Sequence, residues 1–320
     1  MNGKMKIWFI IGASLILIGC IMFGGVMMKL DWNFKKLSTV KYETNTYEIA
    51  DEFKEIQVET DTADVVFMPS DNETAKVICY EETNEKHSVW TKDSVLNIKL
   101  VDKKKWYHNI GINFASAKIT VYLPVKEYGE LSVKADTGDI DIPEEFSFKD
   151  INVKVSTGDI KNYASAEKNV KLTASTGKVF VKKTSCTSLD IKTSTGKITV
   201  DSVDCKEDVE LKVSTGKTNL TDLKCNDLTS KGTTGDLIME NVVAEGIFNI
   251  VRNTGDVKFE SCDASEINVE TTTGNVKGSL LSDKVYIVNT DTGRIEVPKT
   301  VTGGKCEIST DTGDIKITVD

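Results

Sequence analysis

Lys178, Lys197 and Lys217 each directly follow a glycine, at intervals of 19 and 20 residues. Recurrence at that interval puts side chains of successive repeats in one row, about 4.8 Å apart if the repeats stack as strands. Three ammonium groups so placed form a basic strip able to hold an anionic polymer such as a teichoic acid or an acidic glycan. The same row also carries Asp139, Asp159, Asp236, Asp256, Arg294 and Asp314, so an exposed turn row that tolerates charge is the competing reading. A second cluster, Lys103, Lys104, Lys105, Trp106 and Tyr107, joins cations to aromatic rings. Such a loop can touch lipid headgroups or stack on sugars, against the plainer reading of a solvated hairpin loop. The Asp-Thr-Gly-Asp corners, Asp136 with Asp139 and Asp311 with Asp314, offer hard oxygens to calcium but lack a regular ligand count.

Other chemistries are poorly supplied. The two histidines, His87 and His108, lie outside the repeat, with no nucleophile or metal partner recognisable in the sequence, and no C-x-x-C spacing occurs. No catalytic residue, metal ligand or cofactor is therefore assigned. Carbohydrate-active enzymes built on β-helices need carboxylates clustered on one groove face, often with arginine. Here the acids are dispersed by the repeat and only Arg252 and Arg294 are available, so that enzyme class stands as an alternative to a non-enzymatic protein. A net charge of −9 argues against nucleic acid as a partner.

What must position these residues is a repeat. Thr-Gly recurs with its glycine at Gly138, Gly158, Gly177, Gly196, Gly216, Gly235, Gly255, Gly274, Gly293 and Gly313, always 19 or 20 residues apart. Seven and five residues before the glycine, and two after it, stand apolar columns such as Leu189, Ile191 and Ile198. Apolar residues alternate with polar ones on both sides, as in strands buried on one face. Each unit reads as strand, tight turn, strand and polar return, the glycine supplying a positive φ at the turn. One unit cannot bury its own apolar face, but stacked copies can. The sequence thus predicts an all-β fold, a β-solenoid of about ten 19–20-residue coils over residues 131–320, each paired to the next; stacked independent hairpins are the structural alternative. Cys186, Cys205 and Cys225 fall nine residues after their glycines and read as free thiols in a snug buried corner.

Residues 46–130 are strand-rich but irregular. Ile56 to Val65 copies the repeat with Ala63 where glycine belongs, and the segment is expected to shield the first coil. At the other end the chain stops seven residues after Gly313, which predicts an open C-terminal coil and, as one functional alternative, a scaffold that polymerises through it. Ahead of a linker at 31–45, residues 1–30 carry an uncharged run, Ile7 to Met28, of 22 residues. As a helix it spans about 33 Å, enough to cross a bilayer. A retained single-span anchor is the reading adopted. A cleaved signal peptide and a lipoprotein signal ending at Cys20 are the alternatives, the latter opposed by the apolar stretch that follows. Beyond the span, 37 basic and 49 acidic residues leave the body at −12, so attachment to a membrane falls to the helix.

The repeated Ser/Asp-Thr-Gly-Asp/Lys-Ile/Val units, preceded by the strand Ile119-Thr120-Val121-Tyr122-Leu123-Pro124, resemble the bacterial "putative adhesin" family of β-strand-repeat proteins of unknown function, including LiaG-like envelope proteins. The resemblance covers about residues 45–320. It implies a membrane-tethered, extracytoplasmic β-solenoid of the cell envelope, with adhesion, binding or envelope stress as its role and a cell-wall polymer or envelope protein as partner. It lends no catalytic residues.

Overall fold

The computed structural model describes residues 3–34, 40–101 and 116–320. A helix, Gly3–Lys29, includes a 24-residue stretch, Lys6–Lys29, apolar and long enough to cross a membrane. Everything described after it is strand and turn.

The repeat folds as a β-solenoid. In each coil the strand before the glycine joins one sheet, and the strand after it joins a second sheet facing the first. Pairing between coils is parallel and in strict register, Ile151 opposite Val170 and Leu172 opposite Ile191 in one sheet, Ile160 opposite Val179 in the other. Alternation does the rest. Leu189, Ile191, Ile198 and Val200 point inward from one coil and are at most 1% exposed, and their equivalents form apolar ladders along the stack.

Coil order departs from chain order at both ends. The strand Gly304–Thr312 of the C-terminal coil pairs on one side with Glu266–Thr273 and on the other with Lys284–Thr292. The C-terminal coil is therefore inserted between the Gly274 and Gly293 coils, and the expected open C-terminal edge does not exist. The free edge belongs to Lys284–Thr292 and Ile295–Glu296 of the preceding coil. Adjacent coils present the same apolar rows, so the columns alone do not specify which neighbour a coil takes.

At the other end Glu55–Thr60 and Ala63–Pro69 form the glycine-free first coil, against which the Gly138 coil stacks. Beyond it lies a further coil from Val95–Leu100 and Ala117–Leu123. Antiparallel strands then close the stack, His87–Lys92 on one sheet and Ala75–Glu82 followed by Tyr42–Ile49 on the other. The segment thus stacks on the Gly138 coil, the first coil of the regular repeat. The apolar helix leads into Tyr42–Ile49, the outermost strand at this end.

Candidate functional site

The ten repeat glycines form one row at the corner between the sheets. Eight have φ between +126° and +156°, but Gly274 and Gly293 lie outside that region, so positive φ is not what the row shares. What it shares is contact. A Cβ on any of the ten would fall 1.7–2.3 Å from a carbonyl oxygen of the adjoining coil. Each coil is seated on its neighbour's backbone here, and the threonine carbonyl accepts the neighbouring glycine's N–H, as from Gly177 to Thr195 at 2.9 Å.

The charged row beside the glycines now has a structural cause. Asp139 Oδ1 accepts the backbone N–H of Asp159 at 2.8 Å, Asp159 that of Lys178 at 2.7 Å, and Asp256 that of Asn275 at 2.8 Å. Asn275 and Asp314 continue the ladder to Asp314 and Arg294. Each acid caps the turn of the coil stacked on it, which is why most of the row is Asp or Asn.

Lys178, Lys197 and Lys217 interrupt that ladder in three consecutive coils, and all three are exposed. Lys217 is paired with Asp236 at 2.9 Å, which shortens the expected strip. Lys178 and Lys197 make no ion pair among the described residues. The loop with Lys103, Lys104, Lys105, Trp106 and Tyr107 lies outside the described residues. Its flanking strands, Val95–Leu100 and Ala117–Leu123, belong to a coil at the end from which the apolar helix leads.

Cys186, Cys205 and Cys225 occupy the predicted corner, are at most 5% exposed, and are free thiols, as are the other four cysteines. Burial pushes Cys225 and Cys306 up to about 12. Cys20 is exposed on the apolar helix.

One constellation comes together only in the fold. His87 is 4% exposed; its Nδ1 lies 2.7 Å from Glu81 Oε2 and its Nε2 lies 2.9 Å from Thr60 Oγ1. Oε2 also accepts the His87 backbone N–H at 2.7 Å, and Oε1 accepts Asn45 Nδ2 at 2.7 Å. Burial pushes the Glu81 carboxyl up, but the hydrogen bonds from His87 and Asn45 outweigh it and hold the group below its ordinary value. Cys79 Sγ completes the cluster; burial, then the Glu81 charge, push this thiol up to about 12. Hydroxyl, imidazole and carboxylate are ordered as in a nucleophilic triad. Yet Thr60 is 3% exposed, and the adjoining cavity of about 10 Å³ between Thr60, Ala63, His87, Leu100 and Ala117 is the size of one water. One sequence signal did exist. Ala75, Val77, Cys79 and Glu81 alternate on an inward face, so Glu81 sets a carboxylate where an apolar residue is due.

Arg252 is a second buried charge. It points inward over Gly232, and its Nη2 donates to Ser230 Oγ at 2.8 Å, while Nε has no partner. Burial pushes its guanidinium down to about 10.

Fold and corner together define a class: a parallel β-solenoid of Thr-Gly coils behind one N-terminal apolar helix. More narrowly, the chain belongs to the family described as Toastrack DUF4097, whose family model matches residues 53–209 and 203–320. No curated protein matches it. Among solved structures it is similar to a protein described as a putative adhesin from Bacteroides fragilis, at 17% identity, covering 87% of this chain and 97% of that one with a TM-score of 0.39. A protein of the same description from Parabacteroides distasonis aligns at 13% identity over 88% and 98% of the two chains, TM-score 0.43. Another from that organism, described as a putative lipid binding protein, aligns at 14% identity over 86% and 97%, TM-score 0.37.

Proposed function

We propose that this protein is a non-enzymatic binding module of the cell envelope, held at the membrane by its N-terminal helix with the solenoid outside. The observation that carries this is polarity along the stack. The spanning helix leads into the outermost strand at one end, and the coils run away from it for roughly 50 Å at about 4.8 Å each. That geometry suits a stiff arm presenting polar side faces to a polymer or a protein. Lys103, Lys104, Lys105, Trp106 and Tyr107 fall in the sequence between Val95–Leu100 and Ala117–Leu123, two strands at the anchored end, and membrane headgroups are their proposed contact. Lys178 and Lys197, halfway along, suit an anionic wall polymer.

Protease treatment of intact and permeabilised cells tests the placement. Digestion of the solenoid in intact cells is expected; protection until permeabilisation would move it to the cytoplasm and end the envelope reading. Binding is tested by retention on purified wall material, which the triple variant Lys178→Gln, Lys197→Gln, Lys217→Gln should weaken.

A second reading, assembly end to end, is favoured by one observation. Leu281, Val285, Ile287, Ile295 and Val301 are all exposed on the terminal coil that carries the two free strand edges. Concentration-dependent association abolished by Ile287→Lys would support it over wall binding.

A further inference from the structure

We propose that Cys79, Glu81 and His87 form a binding site for one divalent ion of the zinc type, which ties the two sheets together where the stack closes at its anchored end. One ligand atom from each, the Cys79 sulfur, a Glu81 oxygen and a His87 ring nitrogen, lie within 4.8 Å of one another. Thiolate, imidazole and carboxylate are the three donor types zinc takes, and a softer set than magnesium or calcium accepts.

The surroundings are what separate this cluster from a chance meeting of polar groups. A metal-bound imidazole needs its second nitrogen fixed by an outer partner, and a metal-bound carboxylate needs its spare oxygen held. Thr60 Oγ1 stands at His87 Nε2, leaving Nδ1 for the ion. Asn45 Nδ2 holds Glu81 Oε1, and Oε2, which also accepts the His87 backbone N–H at 2.7 Å, keeps a second lone pair for the ion. Tyr47 donates its hydroxyl to the His87 carbonyl at 2.8 Å and fixes the backbone beneath the ring. One ligand atom from each residue, Sγ, Nδ1 and Oε2, faces the point where the three converge. Nδ1 and Oε2 stand 2.7 Å apart around a shared proton, and would open to about 3.3 Å around an ion in its place.

On binding, the Cys79 thiol gives up its proton to solvent and becomes a thiolate ligand, and the His87 ring then carries its N–H at Nε2, toward Thr60 Oγ1. Cys79 and Glu81 lie on Ala75–Glu82 of one sheet and His87 on His87–Lys92 of the other, so the ion would staple the cap across both.

Cobalt(II) titration of the full-length protein in detergent tests the site, because a thiolate ligand gives a charge-transfer band. The expected result is saturation at one equivalent, displacement by Zn²⁺, and loss of the band in Cys79→Ser but not in Cys205→Ser. A band that survives in Cys79→Ser, or none in folded wild-type protein, overturns the assignment. Should Cys79→Ser misfold, His108→Gln leaves His87 as the sole histidine. Its ring ¹⁵N signals must then move with stoichiometric Zn²⁺; unmoved signals overturn the proposal as well.

Discussion

Replacing Gly196 by alanine should cost the solenoid about 3–5 kcal/mol, and the reason can be tested against its main rival. The new Cβ would lie 1.8 Å from the Gly177 carbonyl oxygen and 2.6 Å from its carbon. Relief to an ordinary contact requires the two coils to part by about 1.5 Å at this corner, which is overpacking on the order of 1–3 kcal/mol. The same movement stretches two hydrogen bonds, from Gly177 N–H to Thr195 and from Val179 N–H to Lys197, both 2.9 Å, at about 1 kcal/mol each. The rival cause is φ: Gly196 sits at +154°, where an L-residue is strained. Gly274 separates the two. It lies outside the positive-φ region, but its Cβ would still meet the Gly255 oxygen at 2.0 Å. Urea denaturation of the full-length protein in detergent, followed by far-ultraviolet circular dichroism, should show Gly274→Ala and Gly196→Ala equally damaging. Ser175→Ala, on the exposed corner, should stay within about 0.5 kcal/mol of wild type. A mild Gly274→Ala beside a severe Gly196→Ala would refute the contact argument in favour of φ strain.

Four further outcomes are expected. Asp159→Ala removes the acceptor of the Lys178 N–H and should cost about 1 kcal/mol in the same denaturation assay, whereas Asp159→Asn, like the native Asn275, should be nearly neutral. The double variant Ser230→Ala, Arg252→Met replaces a buried cation that has no carboxylate partner and should raise stability by about 1–3 kcal/mol; a loss of that size would mean that the guanidinium is needed in the core. Glu81 is held below its ordinary value of 4.5, so its contribution is present above that pH and is lost as pH falls below it. Unfolding measured between about pH 6 and pH 3 should therefore show a shallower acid limb in Glu81→Gln. Alkylation of the native protein in detergent should spare the six buried cysteines until denaturant is added, read by mass spectrometry.

The solenoid is legible in the repeat alone. A 19–20-residue period and inward columns such as Leu189, Ile191 and Ile198 leave stacking as the way to bury every unit, and equal coils pack in equal register. Equally legible there are the N-terminal apolar helix, the buried corner of Cys186, Cys205 and Cys225, and the replacement of glycine by Ala63 in the first coil. The glycine row was legible as a pattern, but its cause was not. A turn looks the same in sequence whether φ or a neighbouring backbone demands the glycine. Nor did the pattern reveal that the Asp residues beside the glycines cap the adjoining coil, since the atom they bind lies 19 or 20 residues away.

Where each coil stands is not written in the repeat. Identical columns make the Gly274 coil an equally good floor for the Gly293 coil or the Gly313 coil, and the chain after Leu280 steps past one level and returns to fill it. The free edge therefore lies on the Gly293 coil. The same holds at the N-terminal end, where folding back brings Thr60, Cys79, Glu81 and His87 together from three strands. Local periodicity fixes which side of a strand faces inward; which strands then meet is settled by long-range pairing, and that is where this protein's least repetitive chemistry lies.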